Sequence, residues 1–232
     1  EMPGDSFSIT LESDSLEVLD LSVWFSNGEV DEYGDPIPSR IRGGKIAASC
    51  PRLLNVDVSS VQVDTASVRD LLQCPRLQSL KLQGWGTISE RVFDEVAAWP
   101  PLVELELFGV ELSEESIRNV SQVRTLRYLS VYIGANDHTT LDCIANNMDL
   151  KHLEVVYGLD STVSLAKLRN LSSLKLSGTG LTAANALKLD LGSLHNLQYL
   201  DLSSTRVDDT VFQSLLPLRK LKHLNLEGTA TS

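Results

Sequence analysis

Short apolar lines of the form L-x-x-L-x-L, with valine replacing some of the leucines, recur along the chain. Nine lines start, in order, at Leu16, Leu53, Leu77, Leu102, Leu126, Leu150, Leu171, Leu197 and Leu221. Successive starts are separated by 37, 24, 25, 24, 24, 21, 26 and 24 residues. Because apolar and other residues alternate over about six positions, each line predicts a short strand with its leucines on one face.

A second apolar pattern, with helical spacing, lies between the lines. Its members are Val68, Leu71 and Leu72; Val92, Phe93 and Val96; Ile117 and Val120; Leu141 and Ile144; and Val211, Leu215 and Leu216. Residue types that favour helix N-caps precede these groups at Thr65, Ser89, Ser113, Thr139 and Asp209. Each repeat therefore predicts a strand, a turn, a helix and a second turn.

One such repeat cannot bury its apolar face alone, so the repeats are expected to stack. Helices are wider than the spacing of roughly 4.8 Å between strands, which bends a stack toward its strands. The predicted fold class is an α/β solenoid shaped as a curved horseshoe, with parallel strands on the concave face and short helices on the convex face.

The repeats resemble those of leucine-rich repeat proteins from about Leu16 onward. CPRLLNV and CPRLQSL resemble cysteine-containing adaptor repeats, while SSTRVDD and SGTGLTA resemble threonine-bearing bacterial repeats. The family's usual asparagine or cysteine two residues beyond the strand is absent from this sequence. Its position holds Val61, Trp85, Val110, Gly134, Gly158, Thr179, Thr205 and Thr229. Threonine is therefore expected to replace the asparagine ladder in the last three repeats.

The repeat spacing predicts a single leucine-rich repeat domain over residues 1–232. Residues 1–15 contain the alternating FSITLES and are expected to cap the N-terminal end. The long first spacing indicates an inserted loop over residues 22–49, which is either a plain exposed loop or an arm that contacts a partner. The ending LEGTATS lacks a polar terminal helix, so the C-terminal end is expected to be uncapped, continued in a longer protein or covered by another subunit.

Charge narrows the classes of partner. The chain has 20 lysines and arginines against 31 aspartates and glutamates, a formal net charge of -11. This charge disfavours nucleic acid and anionic lipid and favours a partner with a basic surface. No apolar run approaches the roughly 20 residues that span a bilayer. Three cysteines without paired spacing favour, weakly, a reducing and hence cytoplasmic location.

The candidate binding residues are aromatic side chains on or beside the outward strand positions. They are Phe108, Tyr128, Tyr132, His152, Tyr157 and Tyr199. All of these except Tyr199 are expected to form one contiguous patch over the fourth to sixth repeats, and large rigid side chains of this kind anchor protein interfaces. The alternative is that aromatic residues favour strands and only shield neighbouring backbone. His195 and His223 are interpreted as ordinary surface positions.

No catalytic residue, metal ligand or cofactor is predicted. Cys143 lies in the apolar run LDCIA and is expected to point into the core, away from His138 and His152. Cys50 and Cys74 occupy equivalent repeat positions and are expected to be small core residues. The four histidines lack metal-ligand spacing, and the sequence holds no phosphate loop, serine nucleophile elbow or HExxH motif.

The function predicted from these features is non-enzymatic recognition of a protein or peptide on the concave face. The alternative is a targeting segment of a larger protein, such as a ligase adaptor or an effector, whose active domain lies outside this chain. A third hypothesis is self-association through the uncapped C-terminal end.

Overall fold

A computed structural model of the chain describes residues 15–21, 26–30, 36–38, 40–41, 49–83, 88–110, 112–132, 140–147, 149–156 and 164–232. The chain forms two compact units, Glu1–Val110 and Glu111–Ser232.

The strands of the first unit are β1 (Val18–Asp20), β2 (Ser26–Val30), β3 (Pro36–Pro38), β4 (Arg40–Ile41), β5 (Asn55–Val63), β6 (Ser79–Gln83) and β7 (Glu104–Phe108). All of these except β2 and β3 belong to one parallel sheet. The sheet order is β1-β5-β6-β7, and β4 also pairs with β5 in parallel. Its helices are α1 (Thr65–Leu71) and a 3₁₀ helix, Glu90–Ala98. Each helix therefore lies between two successive strands of the sheet, as the repeat pattern predicts.

The second unit repeats this plan more regularly. Its strands are β8 (Tyr128–Tyr132), β9 (His152–Val156), β10 (Ser173–Lys175), β11 (Tyr199–Asp201) and β12 (His223–Asn225). They pair in parallel in chain order. The helices are α2 (Glu114–Ser121), α3 (Thr140–Ile144), α4 (Ala183–Lys188), the 3₁₀ helix Leu191–Ser193 and α5 (Val211–Leu215). All nine apolar lines therefore form strands, which confirms the predicted α/β solenoid class.

The leucines of each line form the core. Leu80, Leu105, Leu129, Leu153 and Leu174 are each at most 1% exposed. Burying one leucine fully contributes about 2 kcal/mol. The residues on the other face of these strands are half-buried or exposed, except Ser79 in β6 and Asp201 in β11, which are buried. Each strand therefore presents a polar or aromatic face opposite the leucine face.

Apolar residues between the lines are buried in the core together with the leucines of the strands. Val68, Phe93, Ile117 and Val120 are each at most 1% exposed. The predicted apolar face was wrong at Leu216, which follows α5 and is 70% exposed. Val211 and Leu215 therefore form the buried face of that helix.

Two of the predicted N-caps were wrong by one residue. Asp64, not Thr65, caps α1 and accepts from the Ser67 N–H at 2.8 Å, while the Thr65 hydroxyl accepts from the Ser89 N–H of the next repeat at 2.7 Å. Thr210, not Asp209, precedes α5. The Asp209 carboxylate instead accepts two hydrogen bonds from Ser232.

The other caps follow the prediction in part. Ser113 caps α2, and its hydroxyl accepts from the Ser116 N–H at 3.3 Å. Ser89 occupies the N-cap position of the first 3₁₀ helix without a side-chain capping bond. Thr182 caps α4, and its hydroxyl accepts from the Asn185 N–H at 3.3 Å. Helix α4 was not predicted from the sequence. Thr139 lies outside the described residues.

Threonine replaces the family's asparagine at the turn that follows each of the last three strands. The hydroxyls of Thr179, Thr205 and Thr229 donate to the carbonyls of Leu176, Leu202 and Leu226 at 2.6–2.7 Å. The residue before each threonine has a positive φ: 69° at Gly178, 55° at Ser204 and 70° at Gly228. The threonine closes the turn locally, within its own repeat.

The predicted 22–49 loop contains short strands that the sequence did not predict. β2 and β3 pair antiparallel, and β4 pairs with the C-terminal end of β5. Of the predicted 1–15 cap, only Ser15 lies within the described residues. At the other end, Leu224 of β12 is 38% exposed whereas Leu200 of β11 is fully buried. The uncapped C-terminal end stays a prediction.

Candidate functional site

The strand face of the second unit holds a column of aromatic and small side chains. Register pairing places Tyr128 beside His152, His152 beside Ser173, Ser173 beside Tyr199 and Tyr199 beside His223. These five residues form the first position of β8 to β12. We call them the aromatic column. Because the leucine after each of them points into the core, the column points away from it.

Tyr128 and His152 form a stacked pair at one end of the aromatic column. Their ring centroids are 5.8 Å apart and the ring planes are inclined by 26°. The Tyr128 hydroxyl lies 3.3 Å from the Glu154 carboxylate, which holds the phenol across the neighbouring strand. His152 is exposed, and Ser173 is its register partner on the side away from Tyr128.

Tyr199 and His223 form a second pair at the other end. Their ring centroids are 6.2 Å apart with an interplanar angle of 42°. The Tyr199 hydroxyl lies 3.4 Å from the Asp201 carboxylate. His223 was predicted to be an ordinary surface position, and its pairing with Tyr199 was not predicted. The spacing of 24 residues places His223 next to Tyr199 in the repeat, but it does not specify how the two rings are oriented.

Ser173 separates the two pairs and leaves a gap between His152 and Tyr199. Two strand steps separate those residues, a distance of roughly 10 Å. Two aromatic faces that sandwich a flat group must be about 7 to 8 Å apart at van der Waals contact. We call the gap, bounded by His152, Ser173 and Tyr199, the aromatic slot. The strand spacing would therefore admit one planar or slender side chain between the two rings.

Charged side chains lie beside the aromatic slot. Lys175 Nζ contacts the Glu154 carboxylate at 2.6 Å, and Ser173 and Lys175 lie on the same face of β10. The hydrogen bond that Lys175 donates to Glu154 raises the pKa of Lys175, against a smaller opposing effect of burial. Lys175 is therefore charged at neutral pH. Mutual neutralisation of Lys175 and Glu154 leaves the slot without a strong charge of either sign.

Asp201 is a buried carboxylate beside Tyr199. Burial by itself raises its pKa, but hydrogen bonds to the charged form outweigh that effect and leave the pKa below 3.8. The Ser203 N–H donates to Asp201 at 2.9 Å, and the Ser203 and Asn225 side chains contribute further. Asp201 is therefore ionised at neutral pH and fixes the position of the Tyr199 phenol.

The remaining predicted site residues are Tyr132, Phe108 and Tyr157. Tyr132 lies on β8 in register with Val156 and is half-buried. Phe108 belongs to the first unit, where it is 50% exposed and in register with Gln83. Tyr157 lies outside the described residues. The structure thus brings together Tyr128 and His152, and the contiguity of the whole predicted patch stays a prediction.

The strand face of the first unit carries a cluster of charged side chains. Lys81 Nζ lies 3.2 Å from Glu104 and 2.9 Å from Glu106, and the Ser79 hydroxyl donates to Glu104 at 2.7 Å. Burial opposes ionisation of Glu104, but the bonds from Ser79 and Lys81 outweigh it and lower its pKa. The cluster is satisfied internally, so its charged groups are occupied by one another.

The cysteines are buried as predicted. Cys50 and Cys74 are 0% exposed and Cys143 is 7% exposed. Burial, with the nearby Asp70 and Cys50, raises the pKa of Cys74 to about 12. Burial also raises the pKa of Cys143, although Arg118 opposes the effect. A thiol with a raised pKa is a poor nucleophile at neutral pH. Within the described ranges no cluster of three potential metal ligands occurs.

Comparison with known proteins identifies the fold. No family model matches the sequence, and no curated protein shows significant similarity to it. Solved structures do match. Internalin C2 of Listeria monocytogenes aligns with a TM-score of 0.56 at 17% identity, covering 78% of this chain and 74% of internalin. The leucine-rich repeat protein LIC12759 of Leptospira interrogans aligns at 0.59 and 22% identity, covering 94% of this chain and 56% of the other.

This chain has the leucine-rich repeat fold. A third match is TLR13, in its complex with ssRNA13, with a TM-score of 0.53 and 18% identity over 94% of this chain and 32% of TLR13. The chain thus spans about half the length of the Leptospira protein and a third of TLR13. Among the helices of the described residues, none is long and apolar enough to cross a membrane.

Proposed function

We propose that the chain is a non-enzymatic recognition module that binds a protein or peptide on the strand face of its second unit. The observation that carries this proposal is the aromatic column, two ring pairs that flank a small residue on the surface of a leucine core. Leucine and valine would satisfy the strand propensity equally well. Exposed tyrosine and histidine pairs have a use in recognition, because rigid amphipathic rings supply contact area at a low entropic cost.

The aromatic slot fits a polypeptide side chain. Its walls are His152 and Tyr199, and its floor beside Ser173 carries a neutralised ion pair. A planar aromatic or slender aliphatic side chain of a ligand would be sandwiched there, while its backbone reaches the polar groups of β10 and β11. Binding by one inserted anchor with a polar surround is the usual anatomy of a protein interface.

The fold by itself does not fix the class of ligand. TLR13 shares the fold and is in a complex with ssRNA. For this chain the net charge of -11 favours a polypeptide ligand over a polyanion. The buried, high-pKa thiols agree with a role in binding rather than catalysis.

The experiment is a peptide selection followed by a matched pair of variants. A random peptide library would be selected against the intact chain, and the affinity of the enriched peptide would be measured for Tyr199→Ala and Phe212→Ala. The two aromatic residues are 37% and 39% exposed, but Phe212 lies on α5, not on the strand face. We expect Tyr199→Ala to weaken binding by about 2 kcal/mol and Phe212→Ala to leave it unchanged. Equal affinities in both variants, or a loss only with Phe212→Ala, would contradict the proposal.

The alternative role, a targeting segment of a larger protein, uses the same binding surface. The Leptospira protein and TLR13, which are both longer than the aligned region, show that the fold occurs within longer chains. The full-length reading frame distinguishes the two roles. Self-association through β12 is a separate hypothesis, motivated by the exposure of Leu224. Light scattering over a concentration series tests it, because a strictly monomeric chain excludes it.

A further inference from the structure

The two units differ sharply in charge. Residues 1–110 carry 8 lysines and arginines against 18 aspartates and glutamates, whereas residues 111–232 carry 12 against 13. The acidic excess of the protein therefore belongs almost entirely to the first unit. The net charge of the whole chain therefore does not describe the second unit, which holds the aromatic column and has nearly equal numbers of positive and negative side chains.

Within the second unit the positive charge is concentrated along one edge. The turns that lead into β8 to β12 hold eight cationic side chains, which we call the basic edge. They are Arg124, Arg127, Lys151, Lys167, Arg169, Arg219, Lys220 and Lys222. The described residues of the same turns hold two carboxylates, Asp149 and Asp190. Because the strands are parallel and in register, these turns follow one another along the same border of the sheet.

Two asparagines join neighbouring turns of the basic edge. The Asn146 backbone carbonyl accepts from the Arg124 side chain at 3.0 Å, and the Asn146 side-chain oxygen accepts from Lys167 at 3.0 Å. The Asn196 side-chain nitrogen donates to the backbone carbonyl of Arg169 at 2.7 Å, and its side-chain oxygen accepts from Lys220 at 2.6 Å. Hydrogen bonds between turns therefore hold the Arg124, Lys167 and Lys220 side chains in place.

Among the described residues, no carboxylate forms an ion pair with the basic edge. In the part of the second unit that the structure describes, the ion pairs are Arg118 with Glu114 and Lys175 with Glu154, and none involves the basic edge. Seven of the eight side chains are exposed and Arg127 is half-buried. Cations near helix C-termini complement the helix dipole, but that effect fades within one turn. It does not account for Arg127, Lys151 and Lys222, which directly precede strands.

We propose that the basic edge binds an acidic polypeptide segment that runs along the ends of β8 to β12. This inference rests on the proposed function, since it specifies the chemistry of the polypeptide that the second unit recognises. Four strand steps measure roughly 19 Å, which an extended peptide of about six residues spans. Such a segment would pair its carboxylates with the edge and place one neighbouring side chain in the aromatic slot.

An acidic polypeptide fits the surface better than a nucleic acid. Bases stacked on Tyr128 and Tyr199 would bring phosphates close to the carboxylates of Glu154 and Asp201, which contact those phenols. Carboxylates on a peptide are discrete, so an acidic segment can place charge on the edge and uncharged residues over the strands.

The test uses defined probes and two charge-reversed variants of the intact chain. Fluorescence anisotropy would follow binding of a peptide of about six glutamates flanked by one tryptophan, its lysine counterpart, and an oligouridine of similar length. The edge variant is Lys151→Glu with Lys222→Glu. The control is Lys188→Glu with Arg206→Glu, which makes the same change of charge on α4 and in the turn after β11.

We expect the acidic peptide to bind the intact chain and the control equally, and the edge variant about tenfold more weakly. Binding of the acidic peptide should weaken as salt rises from about 50 to about 200 mM, and any binding of the lysine peptide should not weaken in the edge variant. No binding of the acidic peptide, or equal loss in both variants, would overturn the inference. Tighter binding of oligouridine with loss in the edge variant would overturn it in favour of a nucleic acid.

The two proposals fail separately. A selected peptide whose affinity falls with Tyr199→Ala but not with the edge variant would leave the proposed function standing and remove the basic edge. Binding of the acidic peptide that falls with the edge variant but not with Tyr199→Ala or Tyr128→Ala would support the basic edge and contradict the role of the aromatic column.

Discussion

Single positions in the last three turns show how local backbone conformation shapes this chain. Gly178, Ser204 and Gly228 all have a positive φ immediately before the threonine that closes the turn. Of these three residues, Ser204 is the one with a side chain, and a positive φ at such a residue destabilises the fold by about 1 kcal/mol. The equivalent turns have therefore kept the same geometry despite a change in residue type.

We predict that Ser204→Gly raises the free energy of unfolding by about 0.5 kcal/mol, since relief of the left-handed conformation outweighs the greater freedom of glycine in the unfolded chain. Gly178→Ala should lower it by about 1 kcal/mol. A Cβ at Gly178 meets no atom within 4 Å, so its cost comes from the backbone alone. Urea denaturation measures both changes, and an unchanged Gly178→Ala would show that the φ values do not govern stability.

Asp201 predicts a dependence of stability on pH. Its pKa is lower in the folded chain than the ordinary value of 3.8. The unfolded chain therefore binds more protons as the pH falls, so the stabilisation is present above the ordinary pKa and is lost as the pH falls below it. We expect Asp201→Asn to reduce the loss of stability between about pH 5 and pH 3. Asp149→Asn is the control for the removed charge. If both variants lose the same free energy of unfolding over this pH range, the prediction is refuted.

Among the elements, β11 and β12 offer a direct comparison of the same repeat position in two environments. Leu200 and Leu224 are 24 residues apart and in register, yet they are 0% and 38% exposed. We predict that Leu200→Ala lowers the free energy of unfolding by about 3 kcal/mol, while Leu224→Ala lowers it by about 1 kcal/mol. Thermal and urea unfolding measure both. Equal losses would mean that β12 is as well packed in solution as β11.

The strands were predictable because apolar and other residues alternate within each leucine line. At every one of the nine lines the leucine spacing located the strand, and the threonine positions located the closing turns. Helix starts were less predictable, because Asp64 and Thr65 both can cap and only the next repeat decides between them. Thr65 was excluded as the cap because its hydroxyl accepts from Ser89, a contact that exists only after stacking.

The candidate site was predictable to a smaller extent. Repeat position placed Tyr128, His152 and Tyr199 in one column, but the columns alone did not show which rings stack. The pairing of His223 with Tyr199 depends on side-chain rotamers that no sequence pattern specifies. The short strands β2 to β4 were likewise not predicted, since the Gly- and Pro-rich segment around them is typical of a loop.

The whole molecule combines a uniform core with uneven surfaces. The first unit has an internally satisfied cluster of charges around Lys81, whereas the second has the aromatic column bordered by the basic edge. The formal charge of -11 favours a basic partner for the chain as a whole. The distribution of that charge supports the opposite preference for the second unit. A partner that has one basic and one acidic segment would meet both of these preferences.

The measurement that tests the proposed function most directly is proton NMR of the histidine rings during titration with the selected peptide. The chain has only 4 histidines, so their ring signals are few and can be assigned by substitution. We predict that the signals of His152 and His223 shift on saturation and that Phe212→Ala leaves these shifts intact. If the peptide binds while both signals stay in place, the strand face of the second unit is not the binding surface.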